Sequence, residues 1–329
     1  MDKHSAIKKI GVFTSGGDSP GMNAAIRAVV RACVYYKIEV SGIYRGYQGM
    51  IENDIVDLHV RSVSRILSQG GTILKSSRST DFMTPEGRAL AFKNLQERGI
   101  DALVAIGGDG TFSGADVFEK EFGISVIGIP GTIDNDLYGT DATIGYDTAC
   151  NVITDCVDKI RDTASSHNRL FFIEVMGRDS GFLALRAGIA SGAIAVMLPE
   201  EKRSIEDLVA ILEEGAGNKK SSSVVIVAEG ESYGGANEVA RQVQERYSHY
   251  DTKVTILGHI QRGGSPSNYD RVLASMMGVH AVEALQYGES NKMVAIVNNS
   301  MVLVPLSVAI SKRSEIDSEM RRISRIISI

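Results

Sequence analysis

The chain has no tryptophan, and only six prolines and three cysteines, among its 329 residues. Cys33, Cys150 and Cys156 are odd in number and lack the spacing of a metal site. A disulfide scaffold and a zinc module are therefore excluded, and buried thiols in a reducing cytosol are expected. Long hydrophobic runs are missing too. The longest apolar stretch, about Ala187 to Leu198, is broken by glycine and serine and is too short to cross a bilayer. The residues Met1 to Ser5 lead into no apolar segment of the signal-peptide kind, so a cytoplasmic location with no membrane partner is expected. Nor is there a surplus of cations: 35 Lys and Arg stand against 40 Asp and Glu, a formal charge of −5. That balance argues against nucleic acid as the main partner. It leaves room for phosphorylated small molecules wherever basic groups gather locally.

What the chain does have is glycine, 34 residues of it. Much glycine with little proline suits many tight strand-to-helix turns better than a disordered linker. A hydrophobic fraction of 43% and a charged fraction of 23% are those of a globular, enzyme-like protein. The length suits two domains. Short apolar runs at Ile10–Thr14, Glu39–Tyr44, Ala102–Ile106, Ser125–Ile129, Leu170–Val175, Ala193–Leu198, Ser223–Ala228, Val254–Leu257 and Met293–Val297 read as strands. Amphipathic segments at Gly21–Tyr36, Pro85–Glu97, Ser113–Glu121, Thr148–Thr163, Ser204–Glu214, Ala236–Tyr247 and Tyr269–Tyr287 read as helices between them. The alternation predicts βαβ units and mainly parallel sheets, an α/β fold. Gly215–Ser223 reads as a surface loop, and Glu315–Ile329, with alternating Arg and Ile, as an amphipathic helix.

Three strand ends carry the chemistry. The run Ser125–Ile129 leads into Pro130-Gly131-Thr132-Ile133-Asp134-Asn135-Asp136, which sets two carboxylates one residue apart. At the carboxyl end of a strand, where open α/β sheets bind ligands, one acid can take a proton from an attacking hydroxyl while the other positions it or holds a cation. The same residues are also ordinary turn formers. Ile10–Thr14 ends in Ser15-Gly16-Gly17-Asp18, whose glycines would let backbone N–H groups approach a phosphate at a helix start. That turn matches neither a Rossmann nor a Walker A spacing, and a structural turn explains it about as well. Ala102–Ile106 ends in Gly107-Gly108-Asp109-Gly110-Thr111, which surrounds an acid with glycines and offers a place for Mg2+ beside phosphates. In a parallel sheet all three turns fall on one edge. Arg78, Arg169, Arg178, His259 and Arg262 supply cations near glycines or strand ends, where they could converge on a second anion.

From about Lys8 to Gly278 the chain resembles a 6-phosphofructokinase of the bacterial type. The resemblance rests on five motifs in order: the segments around Gly16-Gly17 and Gly107–Gly110, Pro130–Asp136, Glu174-Val175-Met176-Gly177-Arg178, and Gly258–Pro266. The glycine-acid turn alone is shared with lipid and NAD kinases; the ordered set is specific. The resemblance implies two similar three-layer α/β domains with the active site in the cleft between them. The larger, ATP-binding domain would be 1–144 with 256–305, and the smaller, sugar-phosphate-binding domain 145–255 with 306–329. The implied reaction moves the γ-phosphoryl of ATP to the 1-hydroxyl of fructose 6-phosphate, the committed step of glycolysis. Asp134 would be the base, flanked by Thr132 and Asp136, with Arg178 countering charge on the phosphoryl. Gly17, Arg78, Ser79, Gly108, Asp109, Gly110 and Thr111 would hold ATP, with Asp109 on Mg2+. Thr132, Ile133, Asp134, Met176, Gly177, Arg178, Glu229, His259, Ile260, Gln261 and Arg262 would meet the sugar phosphate. Arg169 and Lys253 would reach it from a neighbouring subunit of a homotetramer.

The chain departs from that pattern at four places. Lys253 replaces an arginine, which keeps the charge and loses the planar fork. Ser79 replaces a phenylalanine. At the effector site, Arg27, Arg31, Arg161 and Lys220 match basic residues, but Val60 stands for an arginine and Ile194 for the metal-binding glutamate. An apolar Ile194 cannot ligate a cation, so weakened activation by Mg-ADP is expected. Pyrophosphate-using relatives typically carry Asp at the position of Gly110 and Lys at that of Gly131, filling space that the nucleoside needs; glycine at both leaves room for ATP.

Overall fold

Side chains that alternate along the central strands of the first unit are divided between two hydrophobic cores, as expected of a sheet covered on both faces. The computed structural model describes residues 7–164, 169–217 and 223–328. These form two compact units, 1–147 with 262–314 and 148–261 with 315–329. In chain order the first unit begins β1 (Lys9–Thr14), α1 (Met22–Tyr35), β2 (Glu39–Ile43), α2 (Tyr47–Ile51), β3 (Ile55–Asp57), α3 (Pro85–Glu97), β4 (Ala102–Gly107), α4 (Asp109–Phe122) and β5 (Ser125–Pro130). The second unit follows as α5 (Tyr146–Ala164), β6 (Arg169–Val175), α6 (Phe182–Ser191), β7 (Ala195–Met197), α7 (Ile205–Gly217), β8 (Ser223–Ala228), α8 (Ala236–Arg246) and β9 (Asp251–Ile256). The chain returns to the first unit with α9 (Asn268–Gln286), β10 (Lys292–Val297), β11 (Ser300–Pro305) and α10 (Leu306–Ala309), and ends in the second with α11 (Ser318–Ile327).

The first unit carries a seven-stranded sheet in the order β11-β10-β5-β4-β1-β2-β3. Its centre is parallel, and only the outer pairs β2–β3 and β10–β11 are antiparallel. On β4, Ala102, Val104 and Ile106 join the core under α1 and α9, while Leu103 and Ala105 join the core that contains Phe112 and Phe118 of α4. The second unit carries a parallel sheet in the order β7-β8-β6-β9. Leu170, Phe172, Val225 and Val227 face Leu208 and Leu212 of α7 and Val239 and Val243 of α8. The α/β reading with mainly parallel sheets is what the chain builds.

Three local expectations need correction. The helix expected from Ser113 begins at Asp109, because an acid in the first turn is favoured by the exposed N–H groups there. The loop expected from Gly215 gives way to α7, which continues to Gly217; residues 218–222, Lys220 among them, lie outside the described residues. The strand expected over Ala193–Leu198 is only Ala195–Met197, because α6 and its αL cap at Gly192 take up the chain before it. Leu306 and Ala309 of α10 are buried in the core beside α4, within the unit that runs as far as Ser314. All three cysteines are free thiols, and burial pushes that of Cys33 up to about 12. Among the described residues no helix is long and apolar enough to cross a membrane.

Candidate active site

In the first unit, β1, β4 and β5 are adjacent and parallel, so the three glycine-acid turns emerge side by side at their carboxyl ends. Backbone hydrogen bonds continue past the strands and fix the turns to one another. Ser15 N–H donates to the Ile106 carbonyl at 3.0 Å, and Gly131 N–H to the Gly107 carbonyl at 2.9 Å. Gly107 is required by contact: a Cβ there would lie 2.3 Å from Thr111 Oγ1 and 2.5 Å from the Ser15 carbonyl oxygen. Asp109 and Gly110 are exposed in the first turn of α4, where unpaired N–H groups favour an anion. The Thr111 hydroxyl oxygen is buried with no hydrogen-bond partner among the described residues. A Cβ at Gly108 would be 3.7 Å from Thr132 Cβ, so the Asp109 turn and the Thr132–Asp134 turn lie against each other.

The acid pair is held by residues that the motif did not reveal. Asn135 is buried with φ 52°, a left-handed conformation that Asn tolerates through local bonding. Its Oδ1 accepts from Thr143 N–H at 2.8 Å, and it pairs with Thr143 Oγ1 at 3.2 Å. Thr143 Oγ1 in turn donates to the Thr132 carbonyl at 2.6 Å. The turn is thereby clamped eight residues downstream, and Asp134 N–H donates to Thr132 Oγ1 at 3.3 Å. Asp136 is drawn elsewhere: its Oδ2 lies 3.9 Å from Arg313 Nε, and its carbonyl accepts from Ser314 N–H at 2.9 Å. Replacing Asn135 with Ala removes the Thr143 bonds and leaves an unfavourable backbone angle. The expected loss is about 3 kcal/mol, read as a lower unfolding midpoint in urea, with Asn135→Gly recovering part of it.

The remaining nucleotide-side candidates are placed by long-range bonds. Asn23 of α1 secures the loop before Arg78, donating to the Gln69 and Gly70 carbonyls and accepting from Ile73 N–H at 2.8 Å. Ser79 Oγ donates to Gln48 and accepts from Phe82 N–H, a polar role for the position where the family pattern has phenylalanine. Arg78 itself is exposed. Arg262, expected among the sugar contacts, donates through Nη1 to the Asp18 carbonyl at 3.1 Å, and a Cβ on Gly17 would meet that nitrogen at 2.6 Å. Its guanidinium therefore lies against the first glycine turn.

In the second unit, β8, β6 and β9 are also adjacent and parallel, which brings Glu229, the Met176-Gly177-Arg178 turn and the segment with His259 and Ile260 to one sheet edge. Arg178 has φ 55°, and its N–H donates to Glu229 Oε1 at 2.7 Å. Its side chain is exposed, with Nε 3.8 Å from the neighbouring Asp179 carboxylate. Gln261 is fully buried; its amide accepts from Met176 N–H at 3.1 Å and donates to the Gly258 carbonyl at 3.0 Å. Both ends of that amide are spent on backbone, which fits a residue that shapes the turn better than one that touches a ligand.

Arg169 and Lys253 stand apart from that edge. Arg169 opens β6 while Met176 follows its end, and a seven-residue strand spans roughly 20 Å. Both cations flank Asp251, Arg169 at 3.4 Å and Lys253 at 2.8 Å, which holds the Asp251 carboxyl below its ordinary range. Of the expected effector residues, Arg27 and Arg31 share a concavity of about 350 Å3 on α1 beside Tyr35, where burial first and Arg31 second lower the Arg27 pKa. Arg161 instead donates to the Ser191 and Gly192 carbonyls. Val60 is exposed and Ile194 buried.

Against this geometry the comparisons with known proteins agree. The phosphofructokinase family model matches residues 9–285. The chain is 53% identical to ATP-dependent 6-phosphofructokinase 2 of Bacteroides thetaiotaomicron, across 98% of this chain and 99% of that one. It is 52% identical to ATP-dependent 6-phosphofructokinase 1 of Thermus thermophilus, across 98% and 100%. Among solved structures, phosphofructokinase from Saccharomyces cerevisiae superposes with a TM-score of 0.87 at 37% identity, covering 98% of this chain and 48% of that longer one. The chain belongs to the phosphofructokinase family.

Proposed function

We propose that this protein is an ATP-dependent 6-phosphofructokinase of the cytoplasm, catalysing the glycolytic transfer of the γ-phosphoryl of ATP to the 1-hydroxyl of fructose 6-phosphate. The observation that carries the reading is the alignment of three adjacent parallel strand ends, two rich in glycine and one bearing Asp134. Phosphoryl transfer asks a protein for positioning and charge neutralisation more than for covalent chemistry. The N–H groups at Gly108–Gly110, the Thr111 hydroxyl and the Gly16-Gly17 turn hold the nucleotide phosphates, with Arg78 alongside. Asp134 accepts the proton of the sugar hydroxyl as its oxygen attacks, and the clamped Thr132–Asn135 turn keeps that carboxylate in place. Arg178 balances charge on the transferring group, while Glu229 and His259 orient the sugar.

The site residues fit a magnesium nucleotide. Among the described residues no three His, Cys, Asp or Glu side chains cluster as a dedicated metal cage. Mg2+ characteristically takes one or two carboxylates and completes its shell with phosphates and water. Asp109 would hold it, and the bound ion would neutralise phosphate charge.

Gly110 has open space around its Cβ position, whereas a Cβ at Gly131 would already press on the Ile106 and Met22 side chains at 3.1 and 3.2 Å and approach Gly107 N at 3.6 Å, so a longer side chain there would have to turn toward the nucleotide side. The room left there supports ATP as donor. A coupled assay with fructose 6-phosphate and either ATP or pyrophosphate tests this directly; turnover with pyrophosphate alone would overturn it. Arg169, at the start of β6, and Lys253, on β9 in register with Phe171, lie toward the opposite end of the sheet from their own chain's Arg178 edge, which supports active sites shared between subunits of a homotetramer. Adding ADP should change the KM for fructose 6-phosphate by less than the roughly fivefold that marks common allosteric coupling, because Ile194 offers no metal ligand. Titration of velocity with and without ADP checks it.

A further inference from the structure

A second candidate site lies wholly within the second unit. The strand β7, the helix α7 and the terminal helix α11 enclose a cavity of about 410 Å3. Its size is that of a pocket for a small metabolite. One wall is apolar, built from Ile194, Ala195 and Val196 of the β7 edge with Ile211 of α7. The polar wall holds Lys202, Arg203 and Arg325, together with Glu201, Asp207 and Glu214. It shares Ile194 with the expected effector residues and contains none of Arg27, Arg31 or Arg161.

The charges on that wall do not cancel pairwise. Arg325 is bound to Glu201. Asp207 is committed to the start of α7, where it accepts from Ser204 N–H at 3.3 Å while its own N–H donates to Ser204 Oγ at 3.0 Å. Glu214 lies about two turns further along the same helix. Arg203 and Lys202 remain, with no side-chain hydrogen bond or ion pair among the described residues. Arg203 is half-buried, and desolvation, the largest cause, pulls its pKa down. Glu201 and Asp207 attract the Arg203 guanidinium without a hydrogen bond to it, so its donors stay open and a bound anion would return part of the cost of desolvating them.

We propose that this cavity binds the phosphate group of a small phosphorylated metabolite, gripped by Arg203 and Lys202 with the metabolite's body against the β7 wall. The wall's three carboxylates balance its three cations overall, but Arg203 and Lys202 keep hydrogen-bond donors that no side chain among the described residues takes up. The planar fork of Arg203 suits two of the phosphate's oxygens, and Lys202 supplies a point charge for the third. The proposal stands on its own residues and does not depend on the reaction assigned above.

The test uses the intact wild-type enzyme, so folding of a variant does not enter the first result. Phenylglyoxal labels arginines, and peptide mapping by mass spectrometry reads each site separately, with Arg178 reporting the catalytic edge in the same digest. Inorganic phosphate should slow labelling of Arg203 saturably, reaching about tenfold at ten times its dissociation constant. Lys202→Ala, at an exposed position, should raise the phosphate concentration needed for half-protection about tenfold. Equal protection by acetate at matched ionic strength would show a monoanion site and defeat the phosphate assignment. Protection no greater than chloride gives would show mere screening and defeat the site altogether.

Discussion

Replacing Asp134 with serine should lower kcat by about 10²- to 10⁴-fold, the usual contribution of a general base, and change the KM for fructose 6-phosphate much less. The substitution is mild for the fold. Asp134 is half-buried, and its backbone N–H donates to Thr132 Oγ1, a bond that serine keeps. The clamp on the turn comes from Asn135 and Thr143, and both remain. What serine removes is the carboxylate to which the proposed mechanism assigns the hydroxyl proton. The steady-state measurement should therefore fall almost entirely on turnover, with an unchanged melting curve. A rise in KM with kcat preserved would identify Asp134 as a binding group and move the base elsewhere. The neighbouring carboxylate cannot inherit the role without a rearrangement, because Asp136 is engaged toward Arg313 and the Ser314 backbone.

How much of this was legible in the sequence follows from how far apart the cooperating residues lie. Strands with strict burial on both faces, such as Ala102–Gly107 and Ser223–Ala228, announce themselves as short apolar runs. The glycine-acid turns were legible for the same reason: each is a local motif at the end of such a run. The helix Phe182–Ser191 was not, because its sequence is apolar almost all round and merges with the strand that follows, leaving no helical period to detect. The edge strands β3 and β11 were missed because one is three residues long and the other is half exposed and ends in proline. The supports of the site were hidden more deeply. Asn135 reads as a turn former, and only Thr143, folded back over it, shows that it is a clamp. Gln261 reads as part of a basic ligand motif, yet its amide is consumed by a backbone N–H 85 residues upstream. Arg262, an expected sugar contact, is anchored on the first glycine turn by a bond to the Asp18 carbonyl, 244 residues before it. Residue type and spacing predict which groups are available, whereas the direction each one points is decided by the packing of segments that sequence keeps far apart.

That distinction makes a glycine with no chemistry of its own a sharp test of the sugar-side cluster. Gly230→Ala should lower kcat/KM for fructose 6-phosphate by about a hundredfold, although the residue bears no functional group. A Cβ on Gly230 would stand 1.9 Å from the Arg178 carbonyl oxygen and 3.2 Å from Asp179 Cα. No rotamer relieves a clash with backbone, so the Met176–Arg178 turn must shift by more than an ångström. Displacements of about 1 Å at a positioned group cost on the order of 10²-fold. The shift would also stretch the 2.7 Å bond from Arg178 N–H to Glu229 Oε1, which fixes the arginine in its left-handed conformation. Arg178 and Glu229 are exposed, so the fold should survive with a melting curve close to wild type. The core beneath, Leu170, Phe172, Val225 and Val227, is not touched. Glu229→Gln is the companion variant: it keeps an acceptor for the same N–H and should cost less than Gly230→Ala. If Gly230→Ala retains wild-type kcat/KM while the Asp134 variant is impaired, the Arg178 turn does not take part in the transfer, and its charge must be balanced from another quarter.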